Sequence, residues 1–495
     1  MGEKVIVVGS GIAGLTAGAL LQKQGYHVTL FEAAAEWGGC AGKFQRSDFT
    51  FPVGATLGMG FELDGIHKKV NDQLDIQLEL TELETVMDVR IGKRVFPYYT
   101  NRSRFLAMWE KEEPDEFIHI ANFFKEVWGI GRGVRKHMLH YPVLPPKSKQ
   151  EIFALVRGLS PKSVGLIPYF GRTLDSLVKK HRLEHCDTFR HFINGVLMDS
   201  MQTSYEKCEL MMGATALDIY HHRAFYVKGG LYREAEELVQ SIKENGGTVK
   251  KPRRVISVRR EGKSWLILDH RGNAYEADHV VLNIPLGGIG DLLEPKEYQI
   301  IKPALKKKED PLKQWGSFTT YLSLKEEVIP ASTNLFHQVM VNPEAEPTGA
   351  NHFFMSLSEK GDLLRAPDGY RTMTVSTHID LKEWQTKHEY DEHASVILES
   401  VLAKLEEMMP GARIGLRHQL TGGPRAWERF VHRNSGGVGG FSQTKANALW
   451  RAVQHRTKLP GLWLCGDNVF PGAGTVGATS SGVHVARSIS GKRLV

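Results

Sequence analysis

The stretch from position 4 to position 32 constrains this chain more than any other. A short β-branched run, Lys4-Val-Ile-Val-Val8, breaks into Gly9-x-Gly11-x-x-Gly14, and an alanine-rich stretch continues to Gly25. A second apolar run, His27-Val-Thr-Leu-Phe31, then ends at Glu32. The order predicts strand, tight turn, helix, strand, acid. Gly9 permits the turn, Gly11 lets backbone approach a pyrophosphate, and Gly14 lets the helix lie close on the sheet. The helix opens at Ile12 and Ala13, so its first N–H groups and its dipole face the phosphates. Glu32 at the strand end suits the two hydroxyls of an adenosine ribose, and a carboxylate there argues against a 2′-phosphate. These features together predict a dinucleotide site on a Rossmann-type α/β sheet. The uncharged run behind Lys4 also has the outline of a secretory leader, but a leader explains neither the glycine spacing nor the second strand.

At 495 residues the chain is too long for one core, so two domains are expected. No segment reaches the ~20 apolar residues of a membrane span. The four cysteines (Cys40, Cys186, Cys208, Cys465) have no metal-type spacing and suit a reduced, cytoplasmic interior. The net charge of +7 is concentrated. Residues 129–182 hold eleven Lys and Arg against Glu151 and Asp175, which leaves the rest close to neutral. Apolar residues interleave with these cations: Ile152, Phe153 and Val156 before Arg157, then Leu166, Ile167 and Phe170 before Arg172. Cations with apolar wedges fit a segment lying on an anionic bilayer surface, and a peripheral membrane contact through 129–182 is the expectation. The plainer reading is a solvated basic face over core helices. No nucleic-acid-binding module accompanies the patch, so nucleic acid is not expected.

After Glu32 the chain continues through Trp37-Gly38-Gly39-Cys40-Ala-Gly42-Lys43, where paired glycines let backbone pass close to a bulky ligand. Residues 49–60 then alternate aromatic with small side chains. Near the C-terminus come Ser435-Gly-Gly-Val-Gly-Gly440, a buried-type strand at Leu462-Trp-Leu-Cys465, and Gly466-Asp467-Asn-Val-Phe-Pro-Gly472-Ala-Gly474. These segments resemble the flavoproteins related to phytoene desaturase, carotenoid cis–trans isomerase and retinol saturase. Many members of that group carry Arg after the glycine pair, where this chain has Cys40. The departure leans towards the isomerase and saturase branch.

The resemblance implies FAD as the dinucleotide. It implies a Rossmann-type FAD-binding domain, similar to glutathione reductase and amine oxidases, with an inserted α+β substrate domain. Residues 1–77, 225–290 and 420–495 would form the first, and 78–224 with 291–419 the second. It also implies cofactor contacts at Gly38, Gly39 and Lys43 and from the backbone of Val255. Further contacts would come from Gly466, Asp467 on the ribityl chain, and the helix start at Gly474, Thr475 and Val476. That helix would aim its positive end at the flavin N1–C2=O edge, where charge gathers on reduction.

Between these segments the reading is coarser. Residues 115–128 have apolar residues at helical spacing, and 255–258, 265–268 and 277–282 read as strands. Residues 318–324, 352–357 and 371–378 read as strands of one sheet, with a charged helix over 383–409. Adjacent His221 and His222 chelate poorly and no acidic cluster joins them, so no metal is expected. His221, His222 and His352 are weak candidates for proton transfer.

No nucleophile–base arrangement is evident, so the hard chemistry belongs to the cofactor. The expected activity is hydride exchange between flavin N5 and an allylic carbon of a long apolar polyene, a carotenoid or isoprenoid, giving desaturation or cis–trans isomerisation. A flavin amine oxidase and a non-catalytic FAD-binding interaction protein are the alternatives.

Overall fold

The computed structural model describes residues 2–146, 149–157, 165–305, 314–492 and 494–495. Five short parallel strands form the nucleotide sheet, in the order Leu462–Leu464, His279–Leu282, Lys4–Val8, His27–Phe31, Thr248–Lys250. Val5 pairs with Val28 on one side and His279 on the other. Val5, Val7, Val28 and Leu30 are wholly or almost wholly buried, as a parallel sheet covered on both faces requires. The helix Ile12–Lys23 packs against the helices Tyr232–Glu244 and Gly474–Ser490. A Cβ on Gly482 would stand 2.3 Å from the Ala13 carbonyl oxygen, so the first and last helices cross in contact only because that residue is glycine.

A second sheet of seven strands is ordered Leu416–Gly422, Trp315–Lys325, Tyr370–Asp380, His352–Leu357, Phe336–Met340, Thr85–Ile91, Arg94–Tyr99. The three strands expected at 318–324, 352–357 and 371–378 all lie in it. One core packs Phe318, Leu322, Val339, Phe353 and Met355 with Ile397, Val401 and Leu405 of the helix Lys387–Met408. Another gathers Phe96, Tyr98, Phe105, Trp109, Phe124 and Phe192 with the helices Phe117–Met138, Asp187–Met201 and Leu210–Ile219.

Three local expectations are corrected. The helix expected over 115–128 runs to Met138, through Gly129, Gly131 and Gly133. Gly131 sits where a Cβ would be 2.5 Å from that of Asp218, so close helix packing outweighs poor glycine propensity. The strand expected over 277–282 divides at Asp278. Ala274–Ala277 pairs antiparallel with Ser264–Asp269, whereas His279–Leu282 joins the nucleotide sheet. Finally, Leu416–Gly422 belongs to the seven-stranded sheet, so a boundary at 420 falls inside a strand.

In the basic stretch, Arg135 pairs with Asp64, Lys179 with Asp175 and Lys180 with Glu126. Lys147, Lys162 and the Arg157 side chain lie outside the described residues. Ile152, Phe153, Val156, Ile167 and Phe170 are all half or more exposed. Among the described residues no helix is long and apolar enough to cross a membrane, and no group of side chains could hold a metal ion.

Candidate cofactor and substrate cavity

The first strand ends at Gly9, whose φ of +98° and clearance admit no side chain. A Cβ there would lie 2.3 Å from the Asn283 carbonyl oxygen. Asn283 also uses its side chain: Nδ2 donates to the carbonyls of Gly9 (3.2 Å) and Gly11 (3.0 Å). Gly11 caps the helix at Ile12 without any side-chain hydrogen bond, so the first N–H groups stay open to a ligand. Glu32 is held in place by the Ser10 N–H and Oγ (2.8 and 2.6 Å) on one oxygen and the Ala34 N–H (2.7 Å) on the other.

The C-terminal loop meets this one through the same asparagine. A Cβ on Gly466 (φ +118°) would stand 3.0 Å from Asn283 Oδ1. The helix from Gly474 likewise begins without a side-chain cap. Asp467 accepts a hydrogen bond from Arg433 Nη2 at 2.9 Å. Burial works against the Arg433 charge, but the Asp467 carboxylate outweighs it and holds the guanidinium firmly protonated.

These parts surround one cavity of about 1010 Å³. Gly9, Gly11, Ile12, Ala13 and Glu32 lie on its wall, together with Gly38, Gly39, Val255, Gly466, Asp467, Gly474, Thr475 and Val476. The cavity continues past them between Val134 and Met138 of one helix, Met212 and Ile219 of another, and Phe354 of the large sheet. Uncapped helix starts, glycine-lined approaches and a fixed carboxylate fit a bound dinucleotide, and the remaining apolar space fits a second, hydrophobic molecule.

Some expected residues are placed elsewhere. Gly14 is off the wall; its space is filled by the Gly9 carbonyl and the Asn283 side chain, 2.5 and 2.7 Å from where a Cβ would stand. Lys43 is also off it, because its ammonium is drawn to Glu236 at 2.5 Å and lies 4.6 Å from the centre of the Tyr232 ring. His221 is packed among Tyr98, Phe105 and Trp128, and burial pushes it down to about 4. His352 is wedged beside Gly195 and Met340, and burial pushes it down to about 3. Neither histidine reaches the cavity. His222 does, with Nε2 2.8 Å from Asp218 Oδ2.

Asn283, Arg433, Arg253 and Arg254 went unnoticed in the sequence, although all four line the cavity. The signal for Asn283 was its position just after a strand neighbouring the first one. Arg433 had none beyond its place before a glycine-rich loop.

Residues 12–490 match the model of the family described as flavin containing amine oxidoreductase. The chain belongs to this flavin containing amine oxidoreductase family. It is 23% identical over 506 residues to a chloroplastic prolycopene isomerase of Daucus carota, covering 98% of this chain and 79% of that one. It is 24% identical over 525 residues to a 4,4′-diapophytoene desaturase (4,4′-diapolycopene-forming) of Methylomonas sp, covering 100% and 96%. An oxidoreductase from Methanosarcina mazei superposes with a TM-score of 0.66 at 14% identity, over 99% of this chain and all of that one. As a member of the family the protein is an FAD-dependent oxidoreductase.

Proposed function

We propose that this oxidoreductase acts on a long apolar polyene of the carotenoid or isoprenoid class, by hydride exchange that ends in desaturation or cis–trans isomerisation. The observation that carries this reading is the continuity of the cavity. The space bounded by the two glycine loops runs without a break into a wall of Met138, Met212, Ile219 and Phe354. The names of the Daucus and Methylomonas relatives support the same class.

FAD, when bound, supplies the hydride acceptor or donor. The chain would hold its phosphates at the open N–H groups of Ile12 and Ala13 and its ribose at Glu32. Asp467 and the helix start at Gly474 would hold the ring end. Arg433 keeps a fixed positive charge beside that end. The apolar wall excludes water and aligns the polyene, which must approach within ~3–3.5 Å for transfer. The nucleotide part would comprise 1–77, 225–290 and the chain after the strand Leu416–Gly422, with the remainder forming the substrate part.

The test is a visible spectrum of the purified protein, followed by anaerobic addition of phytoene or lycopene in liposomes. Loss of the flavin band, or a change in polyene geometry, is the expected result. Bleaching by amines but not by polyenes would replace this reading with amine oxidation.

The substrate's chemistry bears on where the protein works. Phe153 and Phe170 are 65% and 51% exposed, and Lys149 and Arg172 stand exposed in the same stretch. The helix before this stretch supplies Val134, Arg135 and Met138 to the cavity wall. We take this face as the membrane contact through which an apolar substrate enters. Equal recovery with neutral and anionic vesicles in a flotation assay would remove it.

A further inference from the structure

We propose that Asp199 is the acid–base group of this reaction: its carboxylate takes the proton from the carbon next to the one that gives up hydride. The inference rests on the polyene reading above.

Among the described residues seven carboxyl side chains line the cavity, and six of them are held by backbone N–H groups, set near a cation or exposed. Glu32 holds Ser10 and Ala34. Asp64, Asp218 and Asp467 pair with Arg135, Arg102 and Arg433. Glu62 has Arg135 and His222 nearby, and Asp291 is exposed. Among the described residues of this wall, Asp199 is the one carboxyl that is neither exposed, nor set against a cation, nor held as Glu32 is by backbone N–H groups; the side chain that bears on it is the neutral Gln338. It also sits in the last turn of the helix Asp187–Met201, where the helix dipole disfavours a negative charge.

The helix end that carries Asp199 is docked on the flavin-binding loops. Gln202 Nε2 donates to the Gly439 carbonyl at 2.6 Å, and the Met201 carbonyl accepts from the Gln443 N–H at 2.9 Å. Gln443 in turn abuts Gly472, and Gly440 abuts the Asp467 carbonyl. Asp199 is therefore one turn of helix from the loops that bound the flavin end of the cavity. Burial pushes its carboxyl up to about 6, against the pull of Gln338, which suits a base that must release its proton near neutral pH.

The balance is simple. One C–H bond breaks with both electrons, and the hydride reduces FAD. The adjacent C–H bond breaks, its electrons close the new C=C, and the proton goes to Asp199. The polyene is oxidised by two electrons. Run backwards, the protonated carboxyl supplies the proton for saturation. Isomerisation without net oxidation needs no such base.

The test compares wild type, Asp199→Asn and Asp199→Glu, each loaded with FAD. Flavin content and the polyene-induced change in the flavin spectrum report binding. Anaerobic single-turnover bleaching against pH reports the chemical step. In addition, infrared spectra of the flavin-free protein follow the protonated-carboxyl band. The groups around Asp199 are Tyr220, Ser200 and Gln338, with His378 on the same cavity and His352 behind the wall. Burial holds the Tyr220 phenol well up and pushes His378 down to about 4, so neither titrates near 6.

The wild-type rate should rise with pH through about 6, and the rise should persist in His222→Gln and Asp199→Glu. Asp199→Asn should bind FAD and polyene, lose about 10²–10⁴ in rate and lose the rise, and lose the part of the carboxyl band that titrates near 6, keeping that of the buried Glu209, which is pushed up to about 7. A wild type bleached by polyene and matched by Asp199→Asn in rate and pH profile overturns the assignment alone. A wild type that no polyene bleaches, or that isomerises equally well as Asp199→Asn, overturns it too; the first of these removes the polyene reading as well.

Discussion

The two ends of the cavity are made of different material. At the nucleotide end the surface is backbone: Gly9, Gly11, Gly38, Gly39 and Gly466, with two helix starts left uncapped. At the other end it is side chain: Met138, Asp199, Met212, Tyr220 and Phe354, from three helices and a sheet. A backbone surface dictates residue type, because at Gly9 both φ and clearance exclude a Cβ, and at Gly466 the positive φ disfavours one. A side-chain surface dictates only volume and polarity, which many sequences satisfy.

The harshest way to break this contrast is Gly9→Val. A rotamer cannot relieve a Cβ placed 2.3 Å from a backbone oxygen, and positive φ adds strain in a β-branched residue. The variant should be purified without FAD and melt well below wild type. The matching change at the other end, Met212→Leu, should retain FAD and cost under about 1.5 kcal/mol. Full flavin occupancy in Gly9→Val would show that the nucleotide end is not built as described.

Next in size is a stability effect at Asp199. Its carboxyl sits at about 6 in the folded chain against an ordinary 3.8. Between those values the folded state binds more protons than the unfolded one, so stability falls as pH rises from about 4 to about 6 and stays lowered above. Asp199→Asn removes that loss. From pH 4 to pH 8 its stability relative to wild type should improve by up to about 3 kcal/mol, read by denaturant or thermal melts at both pH values. A variant that is destabilised at pH 8 would mean the carboxylate is favourably held after all, and the side-chain end would then resemble the charged ribose site.

The same contrast explains what was legible in the sequence. The strand–turn–helix of residues 4–31, Glu32 and the Gly466–Gly474 loop could be read because each position tolerates one residue type or nearly so. The three strands around 318–324, 352–357 and 371–378 could be read because alternation is a local property. Lys43 misled because the family resemblance put a cofactor contact there, whereas Glu236, 193 positions away, claims its ammonium. His221 and His352 misled because a histidine's role depends on neighbours brought in by folding, here aromatic rings and a glycine-backed helix. Gly131 misled in the opposite direction, since only the nearness of Asp218 explains a glycine inside a helix. Asp199 left a faint trace, an acid directly after the apolar Val196-Leu-Met198.

Asn283 blurs the contrast usefully, because it is a side chain in the backbone-built end. Its amide bridges the Gly9 and Gly11 carbonyls. Asn283→Ala removes two hydrogen bonds, each contributing about 1 kcal/mol, so FAD should bind roughly 10- to 30-fold more weakly by fluorescence titration. An unchanged affinity would mean that the glycine loop holds its shape unaided.

The smallest expected effect on the fold belongs to the outer face of the substrate part. Phe153 and Phe170 are mostly exposed, though Phe170 has Trp450 at 6.0 Å between ring centres. If the apolar wedges exist to meet lipid, replacing both with Ser leaves the folded core intact. The melting temperature should then correspond to a change within about 0.5 kcal/mol, while recovery on anionic vesicles drops. Retained salt-sensitive binding would come from cations such as Lys149 and Arg172, because surface charge is screened beyond a Debye length and apolar insertion is not. A large fall in melting temperature would give the opposite answer. The two rings would then be covering a core, and the basic stretch would be the solvated flank of ordinary helices.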